Sequence, residues 1–336
     1  MRPWTNSGPN SPTKLPCASI LSGEPDKRLG LICVDWGATN LRAYAVANDG
    51  TVTERVENNQ GLRGNADNYP EYLKALIHGW IDDSRPVNVL LSGMVGSQTG
   101  WQEVPHIPAP ASSSALAAKA KLMTQINNCP VWIIPGVKGV GISGLPDVLR
   151  GEETQFFGAQ RLCAQQHTQQ PDIWCFPGTH NKWIYSGKNI DHFSTSMVGE
   201  FFELIQQHSL LAQSLEKSVS ENHPAFIRGI ENSRKAGGLL HHLFSVRSLQ
   251  ITGSQEKSDG SEYLSGLIIG HDIGAQLNKS GQHVGIVSSP SLAHKYQVAL
   301  EWLGHSSVII GSQAATISGA FTINAHLLTA GKDPGA

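Results

Sequence analysis

The apolar residues of this chain come mostly in short runs, and the runs mark strands. Leu29–Asp35 reads LGLICVD, continuous enough to be a strand buried on both faces. Leu41–Asp49 and Thr51–Glu57 follow, separated by the turn signal Asn48-Asp49-Gly50. The three predict a β-meander whose first two strands are joined tightly by Gly37 to Asn40. Tyr69–Asp82 has helical spacing, Val87–Leu91 strand character, Ser114–Ile126 helical spacing and Val131–Ile134 strand character. A Gly/Pro-rich loop is expected from Pro135 to Pro146, then a helix from Asp147 to Gln165. A second β unit follows, with strands at 172–176, 182–187 and 189–193. Helical patterns then run over 197–216, 224–243 and 260–279. The pattern closes as strand, helix, strand, helix at His283–Ser288, Leu292–Leu303, Ser307–Ile310 and Ala314–Leu328.

Composition bounds the function. At 336 residues the chain is long enough for two domains with sizeable cores. The pattern divides them into lobes at 29–165 and 166–336, after an extension over 1–28 rich in Pro, Ser, Asn and Gly that is expected to be disordered. A net charge of −2 lacks the basic excess of nucleic-acid binders. No run approaches the roughly 20 apolar residues of a membrane span, and the first residues carry no apolar signal core. The five cysteines form no CxxC pair, which fits a reduced compartment. A cytoplasmic protein without nucleic-acid or membrane partners is expected.

Two turns carry candidate chemistry. DWGATN (35–40) and PGTHNK (177–182) each follow an apolar strand and lead into another, one in each half of the chain. This faint echo suggests two α/β lobes facing one another across a cleft. Gly and small hydroxyl residues in a tight turn let backbone N–H groups approach phosphate oxygens. Gly37, Thr39 and Asn40 fit that role in the first turn, and Gly178 and Thr179 in the second, with His180 and Lys182 as further donors. Two such turns suit an ATP triphosphate gripped from both lobes. Asp35, at a strand end, is placed to hold Mg²⁺, usually through waters. There is no GxxxxGK[ST], so a P-loop fold is not supported. Most of the fourteen histidines, His106 included, show no ligand spacing and are expected at the surface.

Six segments, in order, carry a resemblance: VDWGATNLRAYAV (34–46), LSGMVGSQTGW (91–101), LRGEETQFFGAQ (149–160), FPGTHNKW (176–183), FSTSMVGEFFELI (193–205) and YLSGLIIG (263–270). Together they resemble the 2-dehydro-3-deoxygalactonokinases of the actin-like sugar-kinase superfamily. The resemblance covers about residues 30–325. It implies an α/β, two-lobed actin-like ATPase (ribonuclease H-like) fold with a central cleft. It further implies transfer of the ATP γ-phosphoryl group to the 6-hydroxyl of 2-dehydro-3-deoxy-D-galactonate in galactonate catabolism, with ATP and Mg²⁺ as cofactors. The partners implied are the sugar acid and ATP, with a homodimer left open.

Within that resemblance, phosphoryl transfer to a hydroxyl needs a base, and RGEE offers Glu152 and Glu153. Taking Leu149, Phe156, Ala159 and Cys163 as a buried helical stripe puts Glu152 near its middle and Glu153 at its edge, which favours Glu152 as a carboxylate of raised pKa. Arg42 and Arg150 are candidates for the substrate carboxylate. Met94, Gly96 and Ser97 are candidates for the sugar pocket, and Trp36 and Trp101 either stack on the sugar or pack in the core. The chain departs from the family pattern at Ser289-Pro290, where Gly-Thr is usual, and at Gln313, near where an acid often stands. Proline removes an N–H, so weaker or altered nucleotide binding is expected there. Alternatives to the main reading are a kinase for an epimeric or related sugar acid, and a catalytically impaired sensor of a sugar acid or nucleotide.

Overall fold

The computed structural model describes residues 26–62, 68–216 and 223–331. The extension expected over 1–28 therefore lies outside the described residues, except for its last three. There Arg28 is salt-bridged to Asp26 at 2.6 Å and its carbonyl accepts from the Asn48 N–H.

Strands β1 (Leu29–Trp36), β2 (Leu41–Ala47) and β3 (Val52–Asn58) form the expected meander. Helix α1 (Tyr69–Ile77) and strand β4 (Val89–Ser92) follow, then a short strand β5 (Ile107–Pro108) and helix α2 (Ser113–Lys119). Strands β6 (Lys121–Ile126) and β7 (Cys129–Ile133) complete a six-stranded sheet of order β3-β2-β1-β4-β7-β6, with β4 and β7 parallel to β1. Two more strands, β8 (Val137–Val140) and β9 (Pro146–Leu149), pair with β5 in a small sheet that leads into helix α3 (Glu152–Gln165).

The second half repeats the plan. Strands β10 (Ile173–Phe176), β11 (Asn181–Ser186) and β12 (Ile190–Ser196) form another meander. Helices α4 (Val198–His208), α5 (His223–Ser233), α6 (Gly238–Ile251) and α7 (Gly260–Gln276) pack together beside it, with a 3₁₀ segment at Leu210–Ser214. Then come β13 (His283–Ser288), α8 (Pro290–Trp302), β14 (Ser306–Gly311) and α9 (Ser312–Thr329). The sheet order is β12-β11-β10-β13-β14, with β13 and β14 parallel to β10.

The continuous apolar runs have a physical reason. In β1, Leu31 and Cys33 enter a central core while Ile32, Val34 and Trp36 enter an outer one. In β10, Trp174 and Phe176 face the central core while Ile173 and Cys175 face the outer core of their own half. Both faces of each strand are buried, so neither run alternates. Helices α3 and α9 contribute to the central core and cross at Gly158 and Gly319, where a Cβ on either glycine would collide with the backbone of the other helix.

Several local expectations are corrected. The helix expected over Ser114–Ile126 stops at Lys119, and 121–126 is a strand. Asn127 and Asn128, with φ of 48° and 62°, turn the chain back into β7, the left-handed pair that a two-residue hairpin needs. The loop expected from Pro135 to Pro146 contains β8, and β9 begins at Pro146, with Val137 paired to Leu149. The helix expected from Asp147 starts at Glu152, because 146–149 is committed to β9. The pattern over 224–243 is broken: α5 ends at Ser233, and Gly237 and Gly238, with φ of 124° and 73°, lead into and open α6. The helix expected over Tyr69–Asp82 ends at Ile77.

Candidate active site

A cleft of about 660 Å³ runs between the ends of the two meanders. Its walls gather the first turn, the loop after β4, the start of α3, the second turn and the N-terminal ends of α8 and α9.

The first turn is pinned by backbone bonds. The Gly37 N–H donates to Asn40 O at 2.9 Å, the Gly61 N–H to Thr39 O at 3.0 Å and the Leu62 N–H to Gly37 O at 3.1 Å. This leaves Thr39 and Asn40 exposed on the outer side, while Asp35, Gly37 and Arg42 line the cleft. Asp35 lies opposite Arg42 in the β1–β2 register. The Arg42 guanidinium reaches Asp35 at 3.7 Å and donates its Nε to Glu57 at 2.7 Å. Burial pushes the Asp35 carboxyl up to about 6; Arg42 opposes the shift and the charge of Glu152 adds to it.

Asp35 and Glu152 come together because of two glycines. Gly93 (φ 89°) follows β4, and a Cβ there would lie 2.9 Å from Trp36 O and 3.2 Å from an Asp35 carboxylate oxygen. Gly151 (φ 111°) precedes α3, and a Cβ there would meet Gly93 Cα at 3.4 Å. Only glycine takes both backbones through these angles at that spacing. Met94 and Ser97 line the cleft from the loop that Gly93 opens. Gly96 does not, but lies beneath Arg150, where a Cβ would come within 2.7 Å of Nη1.

Arg150 is held at one side of its fork. Its Nη2 donates to Val104 O at 2.8 Å and sits 3.3 Å from a ring nitrogen of His106. Its Nη1 is buried with no hydrogen-bond partner among the described residues. An unpartnered buried donor is costly, and here it belongs to a cleft-lining cation. His106, expected at the surface, lines the cleft; burial, with the Arg150 charge second, lowers its pKa. Its segment, VPHIPAP, gives no spacing signal for this placement.

The two glutamates exchange the environments the buried stripe assigned them. Leu149 belongs to β9, so the stripe has no helical register there. Glu153 is fully buried and accepts the Gly151 N–H at 2.6 Å. Burial, with the neighbouring Glu152 charge second, pushes its carboxyl up to about 8. Glu152 lines the cleft and accepts the Arg150 N–H at 3.1 Å. The side chain favoured for facing apolar surroundings is the one that faces the cleft.

The second turn places Gly178, Thr179, His180 and Lys182 on the cleft. Asn181 points inward and anchors it. Its Nδ2 donates to Asp272 at 2.5 Å and bonds the Tyr296 hydroxyl at 3.0 Å. Trp183 Nε1, Ser196 Oγ and the Tyr296 hydroxyl also donate to the Asp272 carboxylate. Burial raises the Asp272 pKa, and these donors work against that rise. The Glu200 N–H, at the start of α4, donates to Thr179 O at 2.9 Å. His180 pairs through Nε2 with the Glu200 carboxylate at 2.5 Å. Lys182 is buried and makes no ion pair among the described residues.

Trp36 and Trp101 flank Tyr69 in an aromatic cluster, Trp36 edge-on at 5.4 Å and Trp101 stacked at 6.1 Å; neither lines the cleft. Pro290 occupies the first turn of α8, where a missing N–H leaves the helix ladder intact, and Ser288 and Ser289 line the cleft. Ser312 lines it from α9, whereas Gln313 does not. The N-termini of α3, α8 and α9 therefore all open on the cleft and favour a bound anion. A smaller apolar pocket of about 200 Å³ adjoins at Gly178 and Leu292, walled by Phe202, Ile268 and Ile269. Among the described residues no helix is long and apolar enough to cross a membrane, and no three His, Cys, Asp or Glu side chains cluster as a metal site.

Comparison with known proteins follows the same line. Residues 35–323 match the family model described as 2-keto-3-deoxy-galactonokinase. The chain is 31% identical over 295 residues to 2-dehydro-3-deoxygalactonokinase from Escherichia coli (strain K12), covering 87% of this chain and 96% of that relative. A relative from Rhizobium meliloti (strain 1021), described with the same activity, is 30% identical over 300 residues, covering 85% of this chain and 94% of its own. A crystal structure from Sinorhizobium meliloti, assigned to that activity, superposes with a TM-score of 0.78 at 27% identity, covering 89% of this chain and 99% of that one.

Proposed function

The chain belongs to the 2-keto-3-deoxy-galactonokinase family, and from that premise we propose that it transfers the γ-phosphoryl group of ATP to the 6-hydroxyl of 2-dehydro-3-deoxy-D-galactonate, in cytoplasmic galactonate catabolism. One observation carries the reading: both strand turns, Glu152 and the Arg150 cation share a single cleft.

The division of labour proposed is by half: residues 29–165 hold the acceptor, and residues 166–336 hold the nucleotide. Arg150 lines the cleft as the cation for the acceptor's carboxylate, with Arg42 as the second cation and Met94 and Ser97 along the chain of the sugar acid. Backbone N–H groups of Gly178 and Thr179, together with Lys182, suit the phosphates. The apolar pocket beyond Gly178 suits the nucleotide's base. The donor set fits Mg²⁺ as well, since this ion usually takes one or two carboxylates and leaves its other positions to water and phosphate. Asp35 would hold it, and the ion would supply neutralising charge to the phosphates.

Glu152, oriented by the Arg150 N–H, takes the proton of the 6-hydroxyl as that oxygen attacks the γ-phosphorus. The bond from the γ-phosphorus to the bridging oxygen breaks, and ADP leaves. Glu153 stays buried, holding Gly151 in the turn that presents Glu152.

The test is ADP release from the purified chain with Mg²⁺–ATP and 2-dehydro-3-deoxy-D-galactonate, beside its gluconate epimer and a no-acceptor control. The expected result is ADP formed only with acceptor, and faster with the galactonate compound. Equal or faster turnover with the epimer overturns the stereochemical assignment. No turnover with either acid by the folded chain overturns the kinase reading.

A further inference from the structure

Two glycines and a histidine make the slot in which Arg150 stands. Its Nη1 lies against Gly96, where a Cβ would come within 2.7 Å. Its Nη2 donates to Val104 O at 2.8 Å and lies 3.4 Å from Nδ1 and 3.3 Å from Nε2 of His106. The imidazole in turn rests on Gly136, where a Cβ would meet its Cδ2 at 2.6 Å and its Nε2 at 2.9 Å. The backbone fixes that approach, since the Ile107 N–H donates to Gly136 O at 2.9 Å. A side chain at either glycine would force the histidine–arginine pair to shift. Both members of the pair line the cleft.

A guanidinium only donates, so a ring nitrogen that accepts from Nη2 has to be unprotonated. The two nitrogens are nearly equidistant from Nη2, so either neutral tautomer supplies one. The imidazolium supplies none and sets two cations 3.3 Å apart. The charged groups around the ring are Arg150 ahead of α3, Lys138 on β8 and Glu103 in the loop before β5. Burial is the largest cause holding the ring below the usual histidine range and the Arg150 charge is second; Glu103 opposes the shift and Lys138 adds to it. We propose that His106 is a positioning residue, which as neutral imidazole holds the Arg150 guanidinium where the acceptor's carboxylate docks, and which lets that cation go when it is protonated. This role rests on the assignment of Arg150 to the acceptor's carboxylate. His106 meets neither the transferred proton nor the phosphoryl group, so it sets acceptor affinity and leaves the rate of transfer to Glu152.

The experiment is steady-state kinetics of the full chain with each substrate varied, from pH 8 down to pH 5. At pH 8, His106→Ala is expected to raise the acceptor KM about tenfold, as for one lost hydrogen bond to a charged group, with kcat and the ATP KM little changed. In an Arg150→Ala background the same change is expected to add nothing, because the group it positions is gone. His106→Gln keeps a neutral acceptor for Nη2 that does not titrate. The ratio of the wild-type acceptor KM to that of His106→Gln is therefore expected to rise about two- to fourfold as pH falls through the range. Taking the ratio cancels the titration of Asp35, which is common to both chains. The positioning role is overturned by a flat ratio, by an unchanged acceptor KM in His106→Ala, by acceptor and ATP KM values that rise together, or by a full effect in the Arg150→Ala background; wild-type turnover in those cases upholds the kinase reading. A wild type that turns over no sugar acid overturns both.

Discussion

The two strand-turn-strand units make an instructive pair. Each follows a buried strand, carries a glycine, and feeds the second strand of a meander in sheets that share the order of five strands. They differ in where the carboxylate sits. Two residues before its glycine the first turn has Asp35, which faces the cleft, whereas the second has Phe176. The second turn's carboxylate is Asp272, supplied from α7 and buried beneath Asn181 with several donors around it. One turn presents charge to the ligand; the other spends a carboxylate on holding its own backbone still. A duplicated frame has thus been specialised into a reacting side and a gripping side.

Damage to the two sides should therefore separate kinetically. The largest effect belongs to Glu152→Gln, expected to lower kcat by roughly 10²–10⁴ with little change in either KM; near wild-type turnover would remove Glu152 as the base. Next comes Arg150→Ala, expected to raise the acceptor KM by about 10–100-fold, the worth of one or two charge-assisted bonds, with the ATP KM unchanged. On the gripping side, Asp272→Asn leaves several buried donors short of acceptors and should cost about 1–3 kcal/mol in denaturant unfolding. It should also raise the ATP KM several-fold and spare the acceptor KM; the reverse pattern would abolish the division between the turns.

The smallest effect concerns Glu153. Its carboxyl titrates near 8 when folded against 4.5 ordinarily, so between those values the folded chain binds more protons than the unfolded one. Stability from this group is therefore lost as pH rises through that window. Glu153→Gln keeps an acceptor for the Gly151 N–H and has no such slope. Thermal melts should show the variant gaining a few degrees on the wild type between pH 5 and pH 8; parallel curves would contradict the buried, proton-holding Glu153.

Much of this was legible from residues that interact with their near neighbours in sequence. Both meanders follow from apolar runs and turn residues, and most of the cleft from the two glycine turns and RGEE. What escaped depends on partners far along the chain. The 121–126 segment has apolar residues at spacings that suit either period, and only pairing with β7 makes it a strand. Glu152 and Glu153 are adjacent, so their burial depends on where α3 starts, which is set by β9 pairing with β8. His106 enters the cleft only because Arg150, forty-four residues later, lies against it. Asp272 becomes the anchor of the second turn across ninety-one residues.

The crossing of α3 and α9 has a consequence for how a nascent chain acquires its shape. Residues 154–158 pack backbone to backbone against 315–319, and Asn88 reaches Asn324 with a hydrogen bond 236 residues apart in sequence. The sheet of the first half can pair its strands early, since its contacts are comparatively local. Its inner face, however, lacks a lid until α9 has emerged from the ribosome. The early half must therefore wait, with Leu31, Cys33 and Leu90 uncovered, for the whole second half to be made. Contacts of such long range are slow to close, and exposed apolar strands in the interval invite aggregation. Synthesis rate and chaperone supply should accordingly govern the yield of this protein more than the stability of the finished fold does.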